Sequence, residues 1–299
     1  MWSQAYSMGF AHGEFSPEKE VTALVTGGTS GIGLETARQL ARMGARVVIV
    51  GRDGARTARV VESLRQTTGN RGIEMLLADL SSQEEIRRLA VHVREVCPRL
   101  TVLINNAGGM FSQRSVTSEG FERTWALNHL AYVLLTTEVL DLLKANAPSR
   151  IVNVASDMHR QGVIRFDDLH GEQRYGCLSA YQQSKLANVL FTRALARRLG
   201  GSGVTVNALH PGAVATGMGR DMTGLLWLVN RMLQFFFISP RKGATTPVYL
   251  AMSPEVDGVS GKYFVKCREV PATPAADDRN LQERLWEVSM AQCGLQERV

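Results

Sequence analysis

Two residues four positions apart, Tyr181 and Lys185, have side chains suited to proton transfer; they lie in the stretch 179–188, which reads SAYQQSKLAN. On a helix this spacing places the phenol and the ammonium on one face, one turn apart. An ammonium beside a phenol favours the phenolate, so we expect Lys185 to lower the pKa of Tyr181. Such a pair suits a reaction that protonates a carbonyl oxygen or deprotonates an alcohol while hydride moves at carbon. The pair alone is a weak signal, because a tyrosine packed under a lysine stem on a surface helix has the same spacing.

A glycine-rich turn near the N-terminus is the second candidate site. It reads TGGTSGIG over 26–33 and follows the apolar run 21–25, which predicts a buried strand. A helical pattern from Leu34 to Met43 comes next. Glycines let the backbone approach a pyrophosphate closely, and a helix N-terminus supplies amide donors. A glycine-rich turn between a strand and a helix therefore predicts dinucleotide binding, although the bare pattern is common.

The end of the second predicted strand bears on the choice of dinucleotide. Arg52 and Asp53 follow the apolar run 46–51. At this position a carboxylate accepts hydrogen bonds from both ribose hydroxyls and favours NAD, whereas an arginine pairs with a 2′-phosphate and favours NADP. Because Arg52 comes first, we expect NADP(H) to be preferred, with NAD(H) as the alternative. Arg52 could also end the strand in solvent without a ligand.

Polar or small residues also end the third and fourth predicted strands. Asp79 follows the strand 72–78 and could hold an adenine amino group or cap the next helix. The turn NNAG at 105–108 follows the fourth strand and has small residues where the backbone would pass a cofactor. Alone, this turn could be an ordinary connection between a strand and a helix.

The middle of the chain contributes two further positions. Asn128 lies in a helical region predicted over 118–145, and Ser156 ends the fifth strand, 150–155. A mid-helix asparagine commonly faces solvent, but a buried one can distort the helix and hold a water. The sixth strand, 204–209, leads into HPGAVAT at 210–216.

Strands alternate with helices along the chain, which predicts one Rossmann-type, doubly wound parallel sheet of about seven strands with helices on both faces. Every motif above follows the C-terminal end of a strand or lies on a following helix, the edge where ligands bind in open α/β sheets. We expect a loose tail over 1–20 and a single α/β domain over 21–299.

Composition and charge exclude several classes of protein. The 299 residues have a net charge of +6, but the arginines are scattered among acids, so no nucleic-acid footprint is expected. The four cysteines lack metal-type spacing, which predicts free thiols in a reducing compartment and no metal site. Residues 1–20 contain no apolar run for a signal peptide or anchor. The apolar stretch 224–238 is too short to span a bilayer. These features predict a cytoplasmic protein.

With these residues in hand, the chain resembles the short-chain dehydrogenase/reductase family over about residues 20–290. The family's motifs occur here in its order: TGGTSGIG, NNAG, Asn128, Ser156, YxxxK and PGAVAT. The retinol-dehydrogenase-like branch is the most similar, through YQQSKLANVLF, LHPGAVATGM, the run SPRKGATTPVYLAMSPEVDGVSGKYFVKC and LWEVS. Many relatives in this branch carry an N-terminal anchor, and many have a serine where this chain has Ala155.

The resemblance implies a role for each catalytic position. Tyr181 is the general acid/base; Lys185 lowers its pKa and holds the nicotinamide ribose. Ser156 donates to the substrate oxygen, and Asn128 positions a water that joins Lys185 to solvent. A backbone clamp near Val214 and Thr216 holds the carboxamide. The implied cofactor contacts are Gly27, Thr29, Ser30, Gly31, Ile32, Gly33, Arg52, Asp79, Leu80, Asn106, Ala107, Gly108, Tyr181, Lys185, Pro211, Gly212, Val214 and Thr216.

The expected function is NADP(H)-dependent hydride transfer to or from an apolar carbonyl or alcohol, either retinoid-like or a fatty aldehyde. The alternatives are a steroid or prenyl-type ketone reductase and a dinucleotide sensor without catalysis. An apolar lid is expected at about 217–240, where 224–238 could be core, substrate pocket, or a contact with a membrane surface or a subunit partner in a homodimer. A charge relay of Ser156 with Asp157 and His159 is disfavoured, because no GxSxG surrounds the serine.

Overall fold

The computed structural model describes residues 20–212 and 239–296, so nearly all of the expected tail and lid lies outside the described residues. Within these residues one sheet has eight strands: β1 Thr22–Thr26, β2 Arg46–Gly51, β3 Ile73–Leu77, β4 Val102–Asn105, β5 Ser149–Val154, β6 Val204–His210, β7 Tyr263–Val265 and β8 Arg268–Glu269. Their order in the sheet is β3-β2-β1-β4-β5-β6-β7-β8.

The first seven strands are parallel, which confirms the predicted doubly wound sheet. The eighth strand was not predicted: β8 has two residues and pairs antiparallel with β7 through a tight hairpin. Strand β1 lies between β2 and β4, so the strand order reverses direction there. The crevice outside the C-terminal ends of β1 and β4 is thus the topological switch point, where such sheets bind ligands.

Helices cover both faces of the sheet, and near-continuous apolar strands bury both sides. The bounds are α1 Gly31–Arg42, α2 Gly54–Thr68, α3 Gln83–Val96, α4 Arg123–Trp125, α5 Ala131–Glu138, α6 Leu140–Ala145, α7 Cys177–Arg198, α8 Pro240–Gly243, α9 Thr245–Met252 and α10 Arg279–Gln292. One face carries α1, α2 and α9, and the other carries α3, α5, α7 and α10.

The helical region predicted over 118–145 is shorter and broken. Helix α4 begins at Arg123 because the buried carboxylate of Glu122 accepts hydrogen bonds from the backbone N–H groups of Thr124 and Trp125. A π-helix over Ala126–Leu130 then separates α4 from α5. This wide turn contains Asn128, which is buried rather than facing solvent.

The four cysteines are free, as predicted. Within residues 20–212 and 239–296, no helix has the length and apolarity needed to cross a bilayer.

Candidate active site

Helix α7 brings Tyr181 and Lys185 together on its buried face. Tyr181 is 7% exposed and Lys185 is 3% exposed. The ammonium nitrogen of Lys185 lies 5.6 Å from the centroid of the Tyr181 ring and donates a 2.9 Å hydrogen bond to the carbonyl oxygen of Val154. The four-residue spacing thus places both groups beside the C-terminal end of β5.

Ser156, two residues beyond β5, completes this group. Its hydroxyl is close enough to the phenol of Tyr181 to favour a lower pKa of that phenol, and it accepts from the backbone N–H of Met158 at 3.2 Å. This places a hydroxyl and a phenol side by side, where both can donate to one substrate oxygen.

The charge relay is not formed. His159 Nδ1 lies 2.7 Å from the backbone carbonyl oxygen of Ser156, and its Nε2 accepts from the backbone N–H of Thr273, so neither nitrogen faces the Ser156 hydroxyl. Asp157 instead accepts a hydrogen bond from Tyr263 and lies 3.7 Å from His210.

Burial dominates the proton affinities of the pair. Burial raises the pKa of Tyr181 to about 12, against the opposing hydrogen bond from Ser156. Burial also lowers the pKa of Lys185 to about 7. The expected lowering of the Tyr181 pKa is therefore not observed, because removing the phenolate from water outweighs its polar neighbours. Sequence spacing gave no measure of this burial.

The side-chain amide of Asn128 contacts the turn after β4. Its side-chain oxygen accepts from the backbone N–H of Gly109 at 2.8 Å, and its nitrogen donates to the Gly109 carbonyl at 2.9 Å and to the Ser184 hydroxyl at 3.0 Å. Both amide hydrogens are thus used within the protein. The side chain ties the turn after β4 to α7, and its expected role in holding a water stays a prediction.

The glycine-rich turn forms a cradle that side chains would fill. Gly27 and Gly31 have φ values of +65° and +56°, which disfavour other residues. A Cβ at Gly33 would lie 2.4 Å from both the Gly27 oxygen and the Asn106 side-chain nitrogen. Asn106 in turn donates to the Thr26 carbonyl at 2.8 Å, which fixes the turn after β4 against the turn after β1.

A cleft of 410 Å³ runs from this cradle to Tyr181. Most predicted cofactor contacts line it: Gly27, Thr29, Ser30, Gly31, Ile32, Gly33, Arg52, Asp79, Leu80, Asn106, Ala107, Gly108, Tyr181, Lys185 and Pro211. Gly212, Asn128 and Ser156 are described but are not part of its described lining. Val214 and Thr216 lie outside the described residues.

The far end of the cleft carries two arginines, of which the sequence analysis identified one. Arg52 and Arg56 line the cleft, whereas Asp53 is the N-cap of α2 and accepts from the backbone N–H of Arg56 at 2.8 Å. The Arg56 guanidinium also donates to the Thr29 carbonyl at 3.4 Å. An N-cap signal at Asp53 would have placed Arg56 in the first turn of α2, close to Arg52.

Asp79 lies beside these arginines in a local turn. Its carboxylate accepts from the backbone N–H and the hydroxyl of Ser81, and the next helix is capped by Ser82 instead. Burial opposes ionisation of Asp79, but the Ser81 hydrogen bonds and the charges of Arg52 and Arg123 lower its pKa overall. Asp79 is therefore an ionised acceptor that faces the cleft. Ser81, Phe111 and Arg123 also line the cleft and were not predicted from the sequence.

The residues present fit a nicotinamide dinucleotide. The cradle excludes Cβ atoms where a pyrophosphate approaches, and the N-terminus of α1 begins directly beneath it. Among the described residues, no cluster of three or more His, Cys, Asp or Glu could hold a metal ion.

Comparison with known proteins identifies the family of the chain. A family model described as short chain dehydrogenase matches residues 21–224. Retinol dehydrogenase 14 of Mus musculus is 44% identical over 92% of this chain and 86% of its own length, and retinol dehydrogenase 13 of Homo sapiens is 42% identical over 92% and 85%.

Solved structures show the same fold. A protein from Mycobacterium Paratuberculosis has a TM-score of 0.77 at 30% identity, covering 97% of this chain and 100% of that one. The Pseudomonas aeruginosa RhlG/NADP active-site complex has a TM-score of 0.67 at 28% identity, covering 82% and 93%. The chain therefore belongs to the short-chain dehydrogenase family and is an oxidoreductase that interconverts alcohols and carbonyl compounds with NAD(P).

Proposed function

We propose that the protein is an NADP(H)-dependent oxidoreductase that transfers hydride between the nicotinamide and the carbonyl or alcohol carbon of an apolar substrate, retinoid-like or a fatty aldehyde. One observation carries the proposal. Buried Tyr181, close to both Ser156 and Lys185, lines the same cleft as Arg52 and Arg56.

Each catalytic side chain has a role that its contacts support. The 27–33 cradle and Lys185 would hold the cofactor, which when bound would supply the hydride donor or acceptor. When a carbonyl is reduced, Tyr181 donates its proton to the substrate oxygen while Ser156 donates a hydrogen bond to that oxygen. The phenolate left behind is buried, and the ammonium of Lys185, 5.6 Å from the ring, stabilises it. Alcohol oxidation runs through the same groups in reverse.

The preference for NADP(H) follows from how Arg52, Asp53 and Arg56 are used. Asp53 is engaged as the N-cap of α2, which makes it a poor acceptor for ribose hydroxyls. Two guanidinium groups line the cleft at this end, and arginine suits a phosphate through charge-assisted hydrogen bonds.

The apolar substrate class is supported by relatives and by cleft residues. The relatives above are named retinol dehydrogenases. Met110, Phe111 and Leu127 line the cleft. Each buried methylene contributes about 0.8 kcal/mol, so an apolar site should favour longer chains. Steroid or prenyl-type ketones are the second candidates, since they share the mechanism and differ only in shape.

Turnover assays test the proposal. NADPH and NADH oxidation are measured with aldehydes of increasing chain length, retinal, and steroid ketones, for the wild type, Tyr181→Phe and the control Tyr249→Phe. Tyr249, on α9, donates a hydrogen bond to Glu255 and does not belong to the described cleft lining. We expect Tyr181→Phe to lose about 10²–10⁴-fold in turnover while NADPH affinity stays within a few-fold.

The outcomes separate the candidates. Near-normal turnover by Tyr181→Phe would refute the catalytic assignment. A chain-length profile that stays flat in the wild type would refute the long apolar substrate. Tight NADPH binding with no turnover on any substrate would favour the sensor without catalysis.

A further inference from the structure

The main-chain carbonyl of Asn128 is held from outside its own helix. It lies within the π-helix Ala126–Leu130, where the wider turn disturbs the regular hydrogen-bond ladder. Its oxygen accepts a 2.9 Å hydrogen bond from the side-chain nitrogen of Asn188, one turn after Lys185 on α7. Asn128 is thus fixed by its backbone as well as by its side chain.

Asn188 belongs to a longer polar network, which consists of Ser289, His129, Asn188 and Asn128. Because its nitrogen donates to Asn128, its side-chain oxygen faces Nδ1 of His129 at 3.3 Å, and the neutral ring must donate from Nδ1. The other ring nitrogen, Nε2, lies 2.8 Å from the hydroxyl oxygen of Ser289, which also lies 2.7 Å from the carbonyl oxygen of Leu285. Continuous polar contacts therefore connect Ser289 on α10 with the carbonyl of Asn128.

This polar network is buried. Asn188 and His129 are fully buried, and Ser289 is 1% exposed. The His129 ring lies between Trp125 and Phe191, at centroid distances of 4.5 and 6.3 Å. Buried polar groups that are mutually satisfied favour one arrangement, since any shift leaves a group without a partner in a low-dielectric interior.

At its Asn128 end, the polar network contacts α7, the helix that carries Tyr181. The Asn128 amide donates to the Ser184 hydroxyl, and Ser184 donates to the carbonyl of Tyr181 at 2.8 Å. The same amide holds both polar groups of the Gly109 backbone. A displacement at Asn128 would therefore move the turn beside the nicotinamide end of the cleft relative to Tyr181.

Helix α10 is anchored at a second point. Gln292 accepts a 2.8 Å hydrogen bond from the indole nitrogen of Trp125, which precedes the π-helix. The two anchors, Ser289 and Gln292, both act on the segment that carries Asn128.

We propose that His129 and Asn188 are positioning residues through which α10 sets the placement of Asn128 in the catalytic centre. The proposal rests on the proposed function, because it assumes that Tyr181 carries out the chemistry. Neither residue contacts the reacting atoms; both act through Asn128.

Four variants test this proposal. His129→Leu removes both ring hydrogen bonds, whereas His129→Gln keeps one donor for Asn188 and one acceptor for Ser289. Ser289→Ala removes the contact with His129 at the α10 end of the polar network. Ser149→Ala is the matched control: Ser149 is also 1% exposed, and each hydroxyl lies within reach of a backbone carbonyl, that of Leu143 for Ser149 and Leu285 for Ser289.

The measurements are kcat, KM for NADPH and Tm, with assays run well below each Tm. We expect His129→Leu to lower kcat by about ten- to a hundred-fold through misplacement of the catalytic groups. KM for NADPH should change less than about threefold, because phosphate binding is distant, and His129→Gln should recover most of kcat. Ser289→Ala should lower kcat by less than His129→Leu, and Ser149→Ala should lower Tm without lowering kcat.

Wild-type kcat in His129→Leu and Ser289→Ala would overturn the proposal. So would a kcat loss in Ser149→Ala equal to that in Ser289→Ala, since both would then report stability alone. If His129→Leu does not fold, Ser289→Ala against Ser149→Ala decides. Tyr181→Phe, assayed alongside, separates the two hypotheses. Full activity of Tyr181→Phe refutes the proposed function. Loss of activity in Tyr181→Phe, together with wild-type kcat in the His129 and Ser289 variants, refutes only the positioning role.

Discussion

The ammonium group of Lys185 donates a 2.9 Å hydrogen bond to the carbonyl oxygen of Val154, so a charge on α7 is tied to the last residue of β5. This contact replaces only part of the hydration that the ammonium loses, and burial lowers the pKa of Lys185 to about 7. A lysine that is disfavoured by its surroundings is a stability cost, and such costs are retained where chemistry needs them.

Lys185→Met should therefore stabilise the fold while it abolishes turnover. The pKa of Lys185 falls from 10.5 to about 7 on folding, so the folded state loses relative stability as pH falls from about 10.5 to 7, and the loss is complete below 7. We expect the free energy of unfolding to rise by about 1–2 kcal/mol at pH 7 and the gain to shrink towards pH 10. Urea unfolding at several pH values measures this.

Lys144→Met is the control, because Lys144 is exposed on the last turn of α6. It should leave both stability and turnover nearly unchanged. A Lys185→Met protein that is less stable than the wild type at pH 7 would contradict the burial argument.

The sequence predicted best what depends on local geometry. The helical period places Tyr181 and Lys185 on one face whatever surrounds them, and the glycine spacing of 27–33 predicts a cradle because few other residues adopt positive φ. Strand alternation with helices likewise predicts a parallel sheet, since parallel strands need crossover connections.

What the sequence could not predict depends on distant partners. Asn128 is held by Asn188, 60 residues away, and His129 contacts Ser289, 160 residues away. No local pattern reports such contacts. The predicted direction of the Tyr181 pKa shift was wrong for the same reason. Burial is set by the whole fold, whereas residue spacing reports only neighbours on the same helix.

The hairpin between β7 and β8 is a second site that lowers the stability of the fold. Lys266 and Cys267 form its two-residue turn with φ values of +51° and +61°, a left-handed conformation that side chains disfavour. Turns of this type prefer Asn-Gly. We expect the double variant Lys266→Asn/Cys267→Gly to raise the free energy of unfolding by about 1–2 kcal/mol.

Thermal and urea unfolding measure the change in this hairpin. Lys266→Ala/Cys267→Ala is the control, because alanine keeps the Cβ that makes the conformation costly. A gain of equal size in the alanine variant would show that the left-handed backbone is not the cause.

His129 should make the fold sensitive to acid. Burial lowers its pKa from 6.5 to about 3, against a hydrogen bond with Asn188 that raises it. Its contribution to stability is fully present above pH 6.5 and is lost as pH falls towards 3, because the unfolded chain binds a proton that the folded ring does not.

His129→Gln removes this titration. Relative to pH 7, the wild type should lose about 2–3 kcal/mol more than His129→Gln by pH 4.5. Urea unfolding at pH 7, 5.5 and 4.5 measures the difference. Parallel curves for the two proteins over this range would show that the proton is taken up elsewhere.

The two arginines at the adenosine end of the cleft lead to the last prediction. Arg52→Ala and Arg56→Ala should each weaken NADP(H) binding by about 1.5–3 kcal/mol, or roughly ten- to a hundred-fold, because each removes a charge-assisted contact to the 2′-phosphate. NAD(H) binding should change far less, since it lacks that phosphate. Arg59→Ala is the matched control: Arg59 is exposed one turn further along α2 and is not part of the described cleft lining. Titration with all four cofactor forms measures the affinities, and equal losses for NADP(H) and NAD(H) would show that neither arginine distinguishes the two.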